Sequence, residues 1–544
     1  MGTAGKGSAW RGLDRRSSYA AEVRFDPRQL DGQRVEFLVV GGGIQGAALT
    51  RELALRGRSV LLVERDDFAC GTSMRSSKLI HGGVRYLEQG HLRLVYEALH
   101  ERERLLRLAP HIVRPLPLLM PFYAGVGRSP FLLKLGLRVY SWLAGRSTLP
   151  RPVSHDVDGC LRLFPGLRRE GLRGGVLFFD AATEDLRLTL AVLTAAERAG
   201  ARLANHAEVV GLEGDAIVVR DHVGGVDVRV RVGAVLNATG PHVDGLRARL
   251  GVEAEPLVRV SRGSHLVLPP MGEIETALGA FLADGRIQFV VPHQHGVVCG
   301  TTEVEAEPDG PTPAFAEADA DYLLAALGAL LETPPRRADV TWAYTGWRAL
   351  PAARGPAGQL NREAFLHSER CAAAPLHSVV GGKLTTHRAY AERTINRLLG
   401  VDAPSPSRTQ ALPGGDGPHE PLDPLWWRHG SEAVAVRAMA DGDAALLAPF
   451  AAGRDLIGAE IAWAMRTQGA VSFTDLMMRR LFQVQGPPTD AASVARAFAL
   501  FLRFRPEHLG AVDVEAEQEG FRAAARAMAG SFAPSSDAPA RSGT

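Results

Sequence analysis

The stretch RVEFLVVGGGIQGAALTRELALRGRSVLLVERDDF, residues 34–68, changes its pattern twice, and those changes define the fold class. The apolar run Phe37 to Val40 is continuous rather than alternating, as expected of a strand buried on both faces of a parallel sheet. Gly41, Gly43 and Gly46 then fit G-x-G-x-x-G. The first glycine lets the chain turn, the second lets backbone approach a pyrophosphate, and the third lets a helix pack on its strand. That helix presents free N–H groups and the positive end of its dipole to phosphates. SVLLVE reads as a second strand, and its last residue, Glu64, stands 18 positions after Gly46. A carboxylate there accepts ribose hydroxyls and disfavours a 2′-phosphate, so a dinucleotide other than NADP is expected. The motif alone does not separate FAD from NAD.

The next segment, GTSMRSSKLIHGGVRYLEQG (71–90), places Arg75, Lys78, His81, Arg85 and Tyr86 among paired glycines and four hydroxyl side chains. A core helix would need more apolar spacing, and a solvated loop fewer glycines. The reading preferred here is a loop that holds something anionic; the competing one is a glycine-rich loop whose basic residues face water.

At 544 residues the chain exceeds one simple core, so two or more domains are expected. A formal net charge of +2 gives no electrostatic case for a nucleic-acid partner. Four dispersed cysteines with no C-x-x-C argue against a disulfide framework or a zinc site and favour a reducing compartment; no metal is expected. The N-terminus lacks the apolar core of a secretory signal, and no apolar run reaches the roughly 18–20 residues needed to span a bilayer.

Residues 41–117 closely resemble the FAD-dependent glycerol-3-phosphate dehydrogenases, flavoproteins of the glycine-oxidase and D-amino-acid-oxidase type. The likeness continues at FFDAATEDLRLTL (178–190), VLNATGP (235–241), SRGSHLVLP (261–269), CGTTE (299–303), YTGWRALP (344–351) and VVGGKLTTHRAYAE (379–392). It implies an α/β fold with three parts: a Rossmann-like FAD domain, an antiparallel β-rich substrate domain and a helical C-terminal addition. It also implies noncovalent FAD, contacted by Gly41, Gly43, Gly46, Glu64, Thr72, Ser73, Ser77, His81, Gly82, Gly83, Thr239, Gly240, Gly382, Leu384 and Thr385. Thr72, Ser73, Ser76 and Ser77 can donate hydrogen bonds to pyrophosphate or flavin carbonyls. Gly82 and Gly83 are expected to let backbone lie against the isoalloxazine.

The implied reaction is oxidation of sn-glycerol 3-phosphate to dihydroxyacetone phosphate, hydride passing from C2 to the flavin and electrons to a quinone. An oxygen-using oxidase, or a flavoenzyme for another small anionic hydroxy or amino substrate, is the alternative. The chemistry needs cations around a phosphate and a base for the C2 hydroxyl. The family's active-site residues fall on Arg85, Tyr86, His265, Arg348, Arg362 and Lys383. Arginine grips phosphate bidentately, so Arg85, Arg348 and Arg362 are expected to share phosphate and hydroxyl recognition. Lys383 would add charge beside the flavin, and His265 is the candidate base because imidazole titrates in the working range. Several positions depart from the family pattern: His242, His293, Arg262, Ala349 and Glu184.

The expected organisation is a disordered tail (1–32), an oxidoreductase region (33–400), a linker (401–424), a helical domain (425–530) and a second tail (531–544). Within the oxidoreductase region, 33–115, 171–245 and 345–398 are assigned to FAD binding, and 116–170 and 246–344 to the substrate part. PFLLKLGLRVYSWLAG (130–145) places Leu132, Leu135, Val139 and Trp142 near one helical face, which suits either a membrane interface or a core-packed helix. The expected location is cytoplasmic with peripheral attachment to the membrane's inner face. The sequence is silent on oligomeric state, a homodimer being one option.

Overall fold

The computed structural model describes residues 24–532 except Gln89, Arg128, 294–295, 307–311, 353–362, Pro421, 482–485 and 487–489, and, for side chains, Arg85 and Glu88. Two large sheets organise the chain. The first runs in the order Phe365–Arg370, Pro375–Val380, Val226–Asn237, Arg34–Val40, Val60–Val63, Arg202–Ala204. Its centre is parallel: Phe37 is level with Val60, and Val40 with Asn237. The strand Val60–Val63 is buried throughout, which explains its unbroken apolar sequence. Each such side chain contributes roughly 1.5–3 kcal/mol on burial.

The glycines do as their spacing requires. Gly41 has φ +110°, and a Cβ there would lie 2.6 Å from the Ala238 carbonyl oxygen. A Cβ on Gly46 would lie 1.9 Å from the Gly41 oxygen, so only glycine lets the helix Ile44–Leu55 sit this close to its strand. That helix is buried on almost every side because it packs between Asp185–Arg198 and His387–Leu399, and Ala47, Ala48 and Ala54 keep the approach close.

The second sheet is mainly antiparallel and has ten strands among the described residues. Val258–Leu268 pairs on one side with Gly296–Gly300 and on the other with Trp342–Pro351. This register sets His265 opposite both Gly300 and Tyr344, and Ser261 opposite Arg348. Sheet membership cuts across the boundaries drawn from sequence. Leu172–Thr183, from a segment assigned to FAD binding, is a strand of this second sheet, and Val113–Tyr123 and Trp342–Pro351, also in it, straddle the boundaries at 115 and 345. Alternation shows that a segment is a strand but not which sheet it joins.

The ends also differ from expectation. Residues 24–32, assigned to a tail, are anchored: Arg24 is buried and ion-paired with Asp221, and Pro27–Leu30 forms a 3₁₀ turn with Leu30 in the core. Within the expected linker, Ser407 and Leu412 are buried, and Gly414 and Gly415 pack closely against His429 and Leu108. The C-terminal region is helical, from Trp426–His429 to Val514–Ala529. Phe473 centres its core, with ring centroids 4.9 Å from Phe498, 5.2 Å from Phe521 and 5.6 Å from Phe501.

Candidate active site

The two sheets flank a cavity of about 600 Å³. Glu64 reaches it from the end of Val60–Val63, and Gly41 and Gly43 from the turn beside it. The Glu64 carboxylate accepts N–H bonds from Gly42 at 2.7 Å and Asp66 at 3.0 Å. Burial nevertheless lifts its pKa above the usual range.

His265, Arg348, Lys383 and Tyr86, separated by up to 297 positions, line the same cavity. His265 stacks on Tyr344, its partner across the strand pair, at 4.8 Å and 17°. One ring nitrogen, Nε2, lies 2.9 Å from Ser77 Oγ; Nδ1 is buried without a hydrogen-bond partner among the described residues. Burial, then the charges of Arg348 and Lys78, hold this imidazole well below its ordinary pKa, so it is neutral. The guanidinium of Arg348 lies over Gly263, where a Cβ would come within 2.2 Å of Nη2. It donates to the Thr302 carbonyl at 3.0 Å and to Thr301 Oγ1 at 2.7 Å, and stands 4.0 Å from Glu303. The Lys383 ammonium sits 3.4 Å from the centre of the Tyr86 ring, a cation–π contact that fixes both. Arg362 and the Arg85 side chain lie outside the described residues.

Residues 36–388 match the FAD dependent oxidoreductase family. Glycerol-3-phosphate dehydrogenase 2 of Mycobacterium bovis is 35% identical over 482 residues, covering 84% of this chain and 82% of its own. A glycerol-3-phosphate dehydrogenase of Synechocystis sp. is 33% identical over 494 residues, covering 83% and 89%. The chain belongs to the FAD-dependent glycerol-3-phosphate dehydrogenase family. The solved glycerol-3-phosphate dehydrogenase of Bacillus halodurans, complexed with FAD, shares the fold at a TM-score of 0.72 and 23% identity, covering 96% of this chain and 99% of that one.

FAD is the cofactor of this flavin oxidoreductase, and the cavity fits it. Gln45 and Arg75 both line the cavity, and Gln45 Oε1 and Arg75 Nε are buried without a hydrogen-bond partner among the described residues. Burial lowers the Arg75 pKa to about 10. Such a cation, held by the Thr345 carbonyl at 2.8 Å, suits an anionic cofactor group. The sequence reading named Arg75 in a stretch expected to hold something anionic without assigning it to the cofactor, and it passed over Gln45, whose place directly after the helix start was the available signal.

The glycine-rich stretch divides its labour differently from expectation. Lys78 does not meet an external anion: it is buried, donates to the Met74 carbonyl and is ion-paired with Asp185. Asp185 also takes the N–H and hydroxyl of Ser76 at 3.0 and 2.7 Å. Thr72 donates to the Trp347 carbonyl at 2.6 Å, buttoning this loop to the second sheet. Ser73 Oγ accepts the Ile44 N–H at 2.9 Å and so caps the first helix. Gly82 does not line the cavity; its missing Cβ makes room for Leu99 and Tyr140, whose hydroxyl takes the Gly82 N–H at 2.7 Å. Gly83, with φ +78°, does line it, beside the Tyr86 ring. His81, Thr239, Gly240, Gly382, Leu384 and Thr385 line it too, and the His81 N–H donates to Thr385 Oγ1 at 3.2 Å. Gly46 stays under the first turn as a packing residue.

Two departures from the family pattern meet each other. His293 Nδ1 lies 3.2 Å from Glu184 Oε1. Burial would raise the Glu184 pKa, but His293, Lys78 and Arg114 outweigh it and pull it down to about 2. His242 lines the cavity, and Arg262 pairs with Asp319 at 3.1 Å.

Proposed function

We propose that this protein oxidises sn-glycerol 3-phosphate to dihydroxyacetone phosphate and passes the electrons to a quinone. The observation that carries this reading is one cavity lined by a neutral imidazole, His265, and by the cations Arg348 and Lys383. Cations bind the phosphate dianion, and a neutral imidazole has a lone pair to take the C2 hydroxyl proton. Bound FAD supplies the two-electron acceptor for the C2 hydride. Arg348 and Lys383 are assigned to phosphate and oxyanion recognition, with Arg85 and Arg362 as further contributors. Glu64 is assigned to the ribose hydroxyls, the start of Ile44–Leu55 with Arg75 to the pyrophosphate, and Gly83 and Gly382 to close backbone approach. A substrate dianion between Arg348 and His265 would offset the charge that depresses the imidazole and so strengthen the base when substrate is bound.

A quinone acceptor dissolved in a bilayer requires access to the lipid. The helix Pro130–Leu143 supports peripheral docking there: Phe131, Leu132, Leu135 and Trp142 are exposed, Val139 is half-buried, and Leu133, Leu137 and Tyr140 anchor the inner face. No helix among the described residues is long and apolar enough to cross a membrane.

The test is anaerobic addition of glycerol 3-phosphate to the yellow protein. Bleaching of the flavin, then recovery on adding a quinone faster than on adding oxygen, is the expected result. A flavin that stays oxidised rules out the substrate; faster recovery with oxygen rules out the dehydrogenase reading.

A further inference from the structure

The loop after Glu64 has two sides. Arg65, Asp66, Ala69 and Cys70 line the cofactor cavity, whereas Asp67 does not and is 1% exposed. Its carboxylate accepts both arms of the Arg480 fork, Nη1 at 2.7 Å and Nη2 at 2.8 Å, with Arg479 Nε at 2.5 Å and Asn205 Nδ2 at 2.9 Å. Arg479 also bonds Asp475, whose other oxygen meets His206 Nε2 at 2.9 Å. The His206 backbone N–H in turn donates to the Asp66 carbonyl at 2.8 Å. Both arginines belong to the π-helical segment Leu476–Leu481 of the C-terminal region, more than 400 positions from Asp67.

A buried ion cluster of this kind is not needed for stability alone. Removing so many charges from water costs about as much as their attraction returns, and well-packed apolar side chains would do as well. What a bidentate fork adds is direction: it fixes one carboxylate, and the backbone that carries it, in a single orientation. Here that backbone is the cavity-lining loop between Glu64 and the helical turn Thr72–Met74.

We infer that Arg480 and Arg479 are positioning residues for the cofactor site: the C-terminal helical region clamps the 64–71 loop through Asp67 and thereby sets how tightly FAD is held. The inference rests on the use of FAD, which wild-type protein tests independently by its flavin content.

The experiment compares Arg480→Met with Arg428→Met in full-length apoprotein. Arg428 pairs with Glu460 and Asp455 inside the C-terminal region, so its loss weakens that region without touching the loop. FAD affinity is read by quenching of flavin fluorescence, and the melting temperature is taken with and without FAD. Arg480→Met should weaken FAD binding by about tenfold or more and shrink the stabilisation that FAD confers, with Arg480→Lys in between. Arg428→Met should lower the apoprotein's melting temperature and leave FAD affinity within about twofold. Equal FAD affinities in the two Met variants would overturn the clamp. If Arg480→Met fails to fold, Arg479→Gln replaces it, with about threefold weaker FAD binding expected and unchanged binding overturning the inference.

Discussion

Two buried charged clusters flank the cofactor cavity, and they are neutralised in opposite ways. Around Asp67, carboxylates and guanidiniums meet directly: Arg480 and Arg479 face Asp67 and Asp475 at 2.5–2.8 Å. Around His265, Arg348 donates to the neutral Thr301 and Thr302, and Glu303 stands 4.0 Å away. The first cluster is closed and fixes backbone. The second lines the cavity, where the substrate anion proposed above would meet Arg348. A closed cluster should therefore answer mutation with stability and, around Asp67, with cofactor affinity, and an open one with rate.

The largest break in this contrast is expected from Arg348→Ala. Two charge-assisted bonds at roughly 1.5–3 kcal/mol each predict a fall in kcat/KM of about 10²–10⁴-fold for glycerol 3-phosphate, with little change in melting temperature. Steady-state kinetics and thermal unfolding of the same preparation decide it; normal turnover at low substrate would remove Arg348 from phosphate recognition.

His265→Gln preserves size and polarity but removes the basic nitrogen. Flavin reduction under anaerobic stopped flow should slow by roughly 10²–10⁴-fold with FAD still bound. Unchanged reduction would mean that another group takes the proton.

Lys78→Met probes a closed pair that adjoins the open site. Lys78 and Asp185 have side chains 1% and 0% exposed, so losing the cation strands a buried carboxylate at a cost of about 3–5 kcal/mol. Replacing Asp185 with Leu as well should recover much of that loss. A single variant as stable as the parent would show that the Ser76 and Leu186 bonds to Asp185 suffice.

The smallest effect is in pH. His265 is held below the ordinary imidazole value of about 6.5 by burial and by neighbouring positive charge. Its folded pKa is depressed, so its contribution to stability is complete above about pH 6.5 and lost as pH falls through the folded value. The base stays available over the same window, so the acid limb of kcat/KM should lie below about pH 6.5. An inflection above that value which vanishes in His265→Gln would contradict the assignment.

The turn at Gly41, the close helix packing at Gly46 and the acid at the end of Val60–Val63 were all legible from neighbouring residues, because each is a steric or periodic demand on one short stretch of backbone. His265, Arg348 and Lys383 were legible only by resemblance; no local pattern joins residues 118 positions apart. The same limit explains Gly82. Its neighbours announce a bare backbone, but which side needs the room, the cofactor or Leu99 and Tyr140, depends on how the strands and helices are stacked.

Local chemistry along the chain was therefore enough to specify a dinucleotide-type α/β unit, its phosphate turn and a region rich in cations. Folding in three dimensions decided which partner each of those cations received. Lys78 found Asp185 and Arg480 found Asp67, away from the cavity, whereas Arg348 met Thr301 and Thr302 and Lys383 met the Tyr86 ring, both lining it. A charge's partner is whichever group packing brings within a few ångströms, and spacing in sequence does not encode that distance.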